Sequence, residues 1–229
     1  MLKNKHIFLK KKILIYGLGK SGLSTYHYLK KNNFLYLFDD QKNLIKNSDI
    51  KKKLITFSDI IRKEFDHIIV SPGIDIKTCK LNKYLIQNLD KIYTDLDVFY
   101  SFHSDKKNIA VTGTNGKSTT VKIIYDILKD QKFDARLVGN IGNPILLEKR
   151  IKKKTIFVVE ASSYQLEYSK LFKAHFAVIL NISPDHLERH GNLRNYIKSK
   201  FKIIKNQSNK DVAFLNTKNR NIKKGIKEN

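Results

Sequence analysis

The chain has 229 residues, 41% of them hydrophobic, and carries 45 Lys and Arg against 21 Asp and Glu, a formal charge of +24. Length and apolar content suit one or two folded domains, and no apolar run approaches the ~20 residues that a membrane span needs. One cysteine, Cys79, excludes an internal disulfide, and the lysine-broken start lacks a signal-peptide core, so a cytoplasmic protein with no membrane partner is expected.

The charge raises nucleic-acid binding, but its distribution argues against it. Six of the 45 basic residues are arginine, and the lysines are scattered along the whole chain. Readers of bases and phosphates lean on arginine's planar fork gathered on one element. No nucleic-acid partner is expected, and the positive field is left to attract an anionic nucleotide.

Apolar runs alternate with helical segments in chain order. KILIYG (12–17), FLYLFDD (34–40) and HIIVSPG (67–73) read as buried strands, with a helix over 21–32 between the first two. A polar break near 103–107 follows. The pattern then restarts, with strands in NIAVTG (108–113), ARLVGN (135–140), TIFVVEAS (155–162), FAVILNIS (176–183) and DVAFLN (211–216). KSTTVKIIYDILKDQ and NLRNYIKSKFKIIKNQ read as helices among them, and the last thirteen residues as a polar tail that frays. Apolar strands alternating with helices predict the α/β class with mainly parallel sheets: a Rossmann-like domain over 1–104, then a P-loop-type α/β domain over 105–229.

Gly17-Leu18-Gly19-Lys20-Ser21-Gly22 fits G-x-G-x-x-G between a strand and a helix, and Asp39 and Asp40 close the next strand about twenty residues on, where a ribose-binding acid belongs. Alone this reads as a dinucleotide site. The glycines, however, only let main-chain N–H groups approach a diphosphate, so a UDP-linked sugar fits equally well. Ser71-Pro72-Gly73 ends the third strand on the same carboxyl edge.

The second loop, Gly113-Thr114-Asn115-Gly116-Lys117-Ser118-Thr119, is not a strict Walker A sequence, because Val111 stands where that pattern wants glycine. Its successive N–H groups still suit phosphate oxygens, with Lys117 as a point charge and Ser118 as a hydroxyl for Mg²⁺. Glu160, a carboxylate closing an apolar strand, is a candidate hard ligand; Asn181, Asp185 and His186 follow the next strand. In the last predicted helix, Lys200 falls inside the apolar stripe Leu193, Tyr196, Ile197, Phe201, Ile204. Such a lysine snorkels, pairs with an acid or loses its charge, and a neutral amine reacts with CO₂.

Together GLGKSGLS, SPGI, TGTNGKST, GNIGNP, VEASSYQLE, LNISPDHLERH and YIKSK resemble the Mur ligase family in order and spacing, over about residues 12–216. GNIGNP and SSYQLE are most similar to its D-glutamate-adding branch. The resemblance implies an ATP-dependent amide-forming ligase of peptidoglycan precursor synthesis acting on UDP-N-acetylmuramoyl-L-alanine, and a monomer. It implies UDP contacts from Gly19, Ser21, Asp39, Asp40, Ser71, Pro72 and Gly73, and ATP contacts from Gly113 to Thr119, with Lys117 on the β/γ-phosphates. It further implies Asn140, Ser162 and His186 around the alanyl end. Ser118 and Glu160 would hold one Mg²⁺, and His186 with a carbamylated Lys200 a second. The two loops should open onto one cleft.

Gln41 follows Asp40 where some relatives carry a basic residue. The family also continues into a third, amino-acid-binding domain that holds the D-glutamate site, so this chain is expected not to turn over alone. An incomplete second sheet would expose an edge strand and apolar surface. The alternatives are a nicotinamide-dependent oxidoreductase built on the first loop, and a sister ligase adding another amino acid.

Overall fold

The computed structural model describes residues 5–41 and 48–228, and the chain divides into two compact units, Met1–Phe102 and His103–Asn229. The first holds β1 (Lys12–Tyr16), α1 (Lys20–Leu29), β2 (Phe34–Phe38), α2 (Ser48–Lys51), α3 (Phe57–Arg62), β3 (His67–Val70), α4 (Asn82–Gln87), β4 (Ile92–Tyr93) and α5 (Asp95–His103). Its sheet is all parallel, in the order β2-β1-β3-β4. Ile13, Leu14, Ile15 and Tyr16 of β1 are all buried, a continuous rather than alternating pattern that marks a strand covered on both faces. The chain leaves β1 to one side for β2 and returns on the other for β3, so the turns after β1 and β3 flank the switch point where open sheets bind ligands.

The second unit holds β5 (Asn108–Thr112), α6 (Lys117–Asp130), β6 (Ala135–Gly139), β7 (Ile156–Glu160), α7 (Ser163–Glu167), β8 (Phe176–Ile179), α8 (Leu187–His190), α9 (Leu193–Phe201), β9 (Val212–Leu215) and α10 (Arg220–Glu228). Its sheet is again parallel throughout, in the order β6-β7-β5-β8-β9. Val111, Val121 and Val158 form a buried cluster under α6, joined by Ile124, Leu128, Leu137 and Val178. The α/β class with two parallel sheets expected from the sequence is the one the chain adopts. Among the described residues no helix is long and apolar enough to cross a membrane.

Two expectations need correction. The polar tail is helical: α10 forms there because Ile222, wholly buried, anchors it, and Gly225 lies so close to Phe201 that a Cβ would stand 2.1 Å from the ring. The helix predicted from residue 192 ends as regular α-helix at Phe201 and continues as turns.

Candidate functional site

In the first unit the Gly17–Gly22 turn carries the chain from β1 into α1. A Cβ on Gly22 would stand 1.8 Å from Gly17 O, whereas one on Gly19 would meet nothing within 4 Å. Gly22 is therefore demanded by packing, and Gly19 leaves main chain open to a ligand. Asp39 clasps this turn, accepting the Leu18 N–H at 2.6 Å and the Gln41 N–H at 2.8 Å. Asp40 accepts the Tyr16 hydroxyl at 2.8 Å, and Lys80 Nζ donates to the Asp40 main-chain oxygen at 3.3 Å. Burial, followed by the bond to Asp40, holds the Tyr16 phenol far above its ordinary range. Ser71 Oγ donates to Gly17 O at 2.6 Å, which locks the turn carrying Pro72 and Gly73 onto the first loop. Ser21 Oγ donates to Asp95.

In the second unit the phosphate-loop candidate leaves β5 and enters α6 at Gly116, whose φ of +83° is left-handed. Asn181 braces it from the end of β8: its Oδ1 accepts the Asn115 N–H at 2.9 Å and its Nδ2 donates to Asn115 O at 3.0 Å. Lys117 Nζ folds back to donate to the oxygens of Gly113 (2.9 Å) and Thr114 (2.8 Å). Thr119 follows in the first turn of α6, which leads from the loop.

Glu160 ends β7 only 1% exposed, paired in register with Val111 of β5 and Gly139 of β6. Its carboxylate accepts Ser118 Oγ and Asn140 Nδ2, both at 2.8 Å. Both donors are neutral, and no ion pair to Glu160 is found among the described residues. A buried carboxylate without a cation is costly. Together with the Ser118 hydroxyl it makes a set of hard oxygens that fits Mg²⁺, which keeps several waters and takes few protein ligands. The remaining predicted ligands come from the segment after β8 and from α9. His186 has a left-handed main chain (φ +52°) ahead of α8, with Nε2 3.4 Å from Asp185 Oδ2. Lys200 points inward and does not snorkel: 1% exposed, its Nζ donates to Gly113 O at 2.8 Å. Burial, then the neighbouring Lys117, lowers its pKa to about 7. Ser162 caps α7 in a reciprocal box with Gln165.

In each unit several residues were not singled out from the sequence. Tyr16 and Lys80 flank Asp40. Glu167 holds Arg189 at 3.1 Å, beside His190, which is 1% exposed and 3.1 Å from Ser163 Oγ. Glu167, Arg189 and His190 lie inside the family motifs, where nothing in spacing separates packing from chemistry, and Lys80 lies outside all of them.

A Mur ligase middle-domain model matches residues 111–229, and a MurD-like Mur ligase N-terminal-domain model matches residues 11–92. The chain belongs to the Mur ligase family. Among curated Mur ligases it is 38% identical over 216 residues to the UDP-N-acetylmuramoylalanine--D-glutamate ligase of Rickettsia bellii, covering 93% of this chain and 47% of that protein. The identically named ligase of Elusimicrobium minutum is also 38% identical, over 234 residues, covering 96% of this chain and 51% of the relative. The chain thus spans about half the length of the curated relatives it matches. Among solved structures, the UDP-N-acetylmuramate:L-alanyl-gamma-D-glutamyl-meso-diaminopimelate ligase from Neisseria meningitides superposes with a TM-score of 0.59 at 14% identity, over 96% of this chain and 75% of that one, a likeness of fold alone.

Proposed function

We propose that the chain is the sugar-nucleotide- and ATP-binding portion of a cytoplasmic ligase that joins D-glutamate to UDP-N-acetylmuramoyl-L-alanine. The observation that carries this reading is the buried Glu160 carboxylate, fixed by Ser118 and Asn140 at the mouth of a lysine-bearing loop and lacking a basic partner among the described residues. An NAD-dependent oxidoreductase has no use for that arrangement. The names and 38% identity of the relatives support the D-glutamate assignment.

In this reading the alanyl carboxylate attacks the γ-phosphorus of ATP, ADP leaves, and the amine of D-glutamate displaces phosphate from the acyl phosphate to form the amide. Lys117 releases the carbonyls of Gly113 and Thr114 to meet the phosphates, and the N–H groups of 113–119 cradle their oxygens. Ser118 and Glu160 would hold Mg²⁺, which would neutralise phosphate charge. Lys200, neutral in part near pH 7, would add CO₂ and release a proton; the resulting carbamate would join His186 at a second ion. Gly19, Ser21, Asp39, Asp40 and the Ser71–Gly73 turn would receive the UDP moiety, with Asn140, Ser162 and His186 near the alanyl group.

Calorimetric titration of the 229-residue chain tests this reading. It is expected to bind Mg²⁺-ADP and UDP-N-acetylmuramoyl-L-alanine and not NADH, and Lys117→Ala should abolish ADP binding and leave the sugar nucleotide unaffected. Binding of NADH without the UDP-sugar would overturn it.

A further inference from the structure

Tyr196, 1% exposed on the inner face of α9, meets several parts of the second-unit site at once. Its hydroxyl lies 3.2 Å from Thr114 Oγ1, its ring centroid 4.6 Å from Lys200 Nζ, and its ring packs on His190 at 5.3 Å and edge-on to His186 at 6.4 Å. The direction of the Thr114 contact follows from counting. Thr114 Oγ1 accepts the Ser183 N–H at 3.0 Å and donates to Ser183 O at 3.2 Å. A hydroxyl has one proton and two lone pairs, so the remaining lone pair takes the Tyr196 O–H. Thr114 is also the residue on which the loop turns: its N–H donates to Asn181 O at 3.0 Å and its carbonyl accepts Lys117 at 2.8 Å.

We propose that Tyr196 is a positioning residue that couples the phosphate loop to α9, its hydroxyl fixing Thr114 and its ring fixing Lys200. The aromatic face attracts the ammonium form of Lys200, the form present before any reaction with CO₂. With Nζ also on Gly113 O, the lysine is held between helix and loop, and both are set by one side chain. His190 stands behind the ring, within 3.1 Å of Ser163 Oγ, and limits its rotation. This inference rests on the ATP-binding reading of the loop.

Titration of the 229-residue chain with Mg²⁺-ADP separates the two. If the parent chain does not bind ADP, the loop reading itself falls. Given binding, Tyr196→Phe should weaken ADP about three- to tenfold, the scale of one hydrogen bond, with a fall of only about a few degrees in unfolding temperature. Thr114→Val, which also loses the two Ser183 bonds, should weaken it at least as much, and the double variant should be no weaker than the weaker single. Additive losses, or parent-like affinity in Tyr196→Phe, overturn the coupling. For the ring, lysine labelling with isotopic acetic anhydride is read at individual peptides. Lys200 should stay protected in Tyr196→Phe and label several-fold faster in Tyr196→Leu, while Lys173 labels equally in all. Equal protection in Tyr196→Leu, or Lys173 rising with Lys200, removes the positioning role of the ring.

Discussion

Lys200 illustrates how a single buried side chain can cost stability. Its amine titrates near 7 in the fold against 10.5 in an unfolded chain, because burial, then Lys117, disfavours its charge. Between those values the unfolded chain holds a proton the folded one has shed, so stability should rise as pH climbs from about 7 to 10.5. In CO₂-depleted buffer, Lys200→Met should therefore gain up to about 4 kcal/mol at pH 7, a gain that fades as pH approaches 10.5. Denaturant unfolding across that range checks it; a pH-independent gain would mean the amine does not titrate there. The glycines of the first loop give a second contrast. Gly22→Ala puts a methyl 1.8 Å from Gly17 O and should unfold the first unit. Gly19→Ala has open space, so it should keep its melting temperature and lose UDP affinity by about tenfold if the ligand approaches the main chain there.

Among the elements, β8 and β9 are joined by an ion pair that spacing alone could not disclose. Lys173, ahead of β8, reaches Asp211, ahead of β9, at 2.7 Å, and Ser208 N–H and Oγ each donate to the same carboxylate at 2.7 Å. Burial would raise Asp211, but Lys173 and Ser208 outweigh it and hold the carboxyl at about 2. A depressed acid stabilises above its unfolded value and loses that contribution as pH falls through the folded one. Asp211→Asn should accordingly melt earlier at pH 7, and the gap should close between about pH 4 and 2; a gap that persists in acid would contradict the pairing. Strands were the most legible elements, since runs such as KILIY and IFVVE are apolar without alternation and end in turn residues. α10 was not, because its anchor is one buried isoleucine, Ile222, among lysines, and helix periodicity needs more than one tooth to register. Lys200 and Glu160 stood out by violating apolar patterns, whereas Tyr196 conformed to its stripe and so hid its polar contact. Whether a hydroxyl at the end of a packed ring finds a partner is decided by the loop opposite, which lies far away in sequence.

At the scale of the whole molecule, two opposing forces govern association. The charge of +24 repels a second copy. Against it, among the described residues β9 is an edge strand with Val212 and Phe214 41% and 55% exposed, and α6 presents Ile123 and Ile127 at 53% and 58%. An uncovered edge with apolar side chains is a template for pairing, and inserted lysines are the usual defence. The repulsion acts over about 30 Å at 0.01 M salt and about 3 Å at 1 M, while the apolar contact is not screened. The chain should therefore sediment as a monomer in dilute buffer and associate as salt is raised towards about 0.5 M. Phe214→Lys should hold it monomeric throughout, because it removes the apolar contact and adds charge on the pairing edge. Sedimentation equilibrium at two salt concentrations decides the matter: mass independent of salt would show that β9 is no pairing edge, and a Phe214→Lys variant that still associates would move the contact to α6.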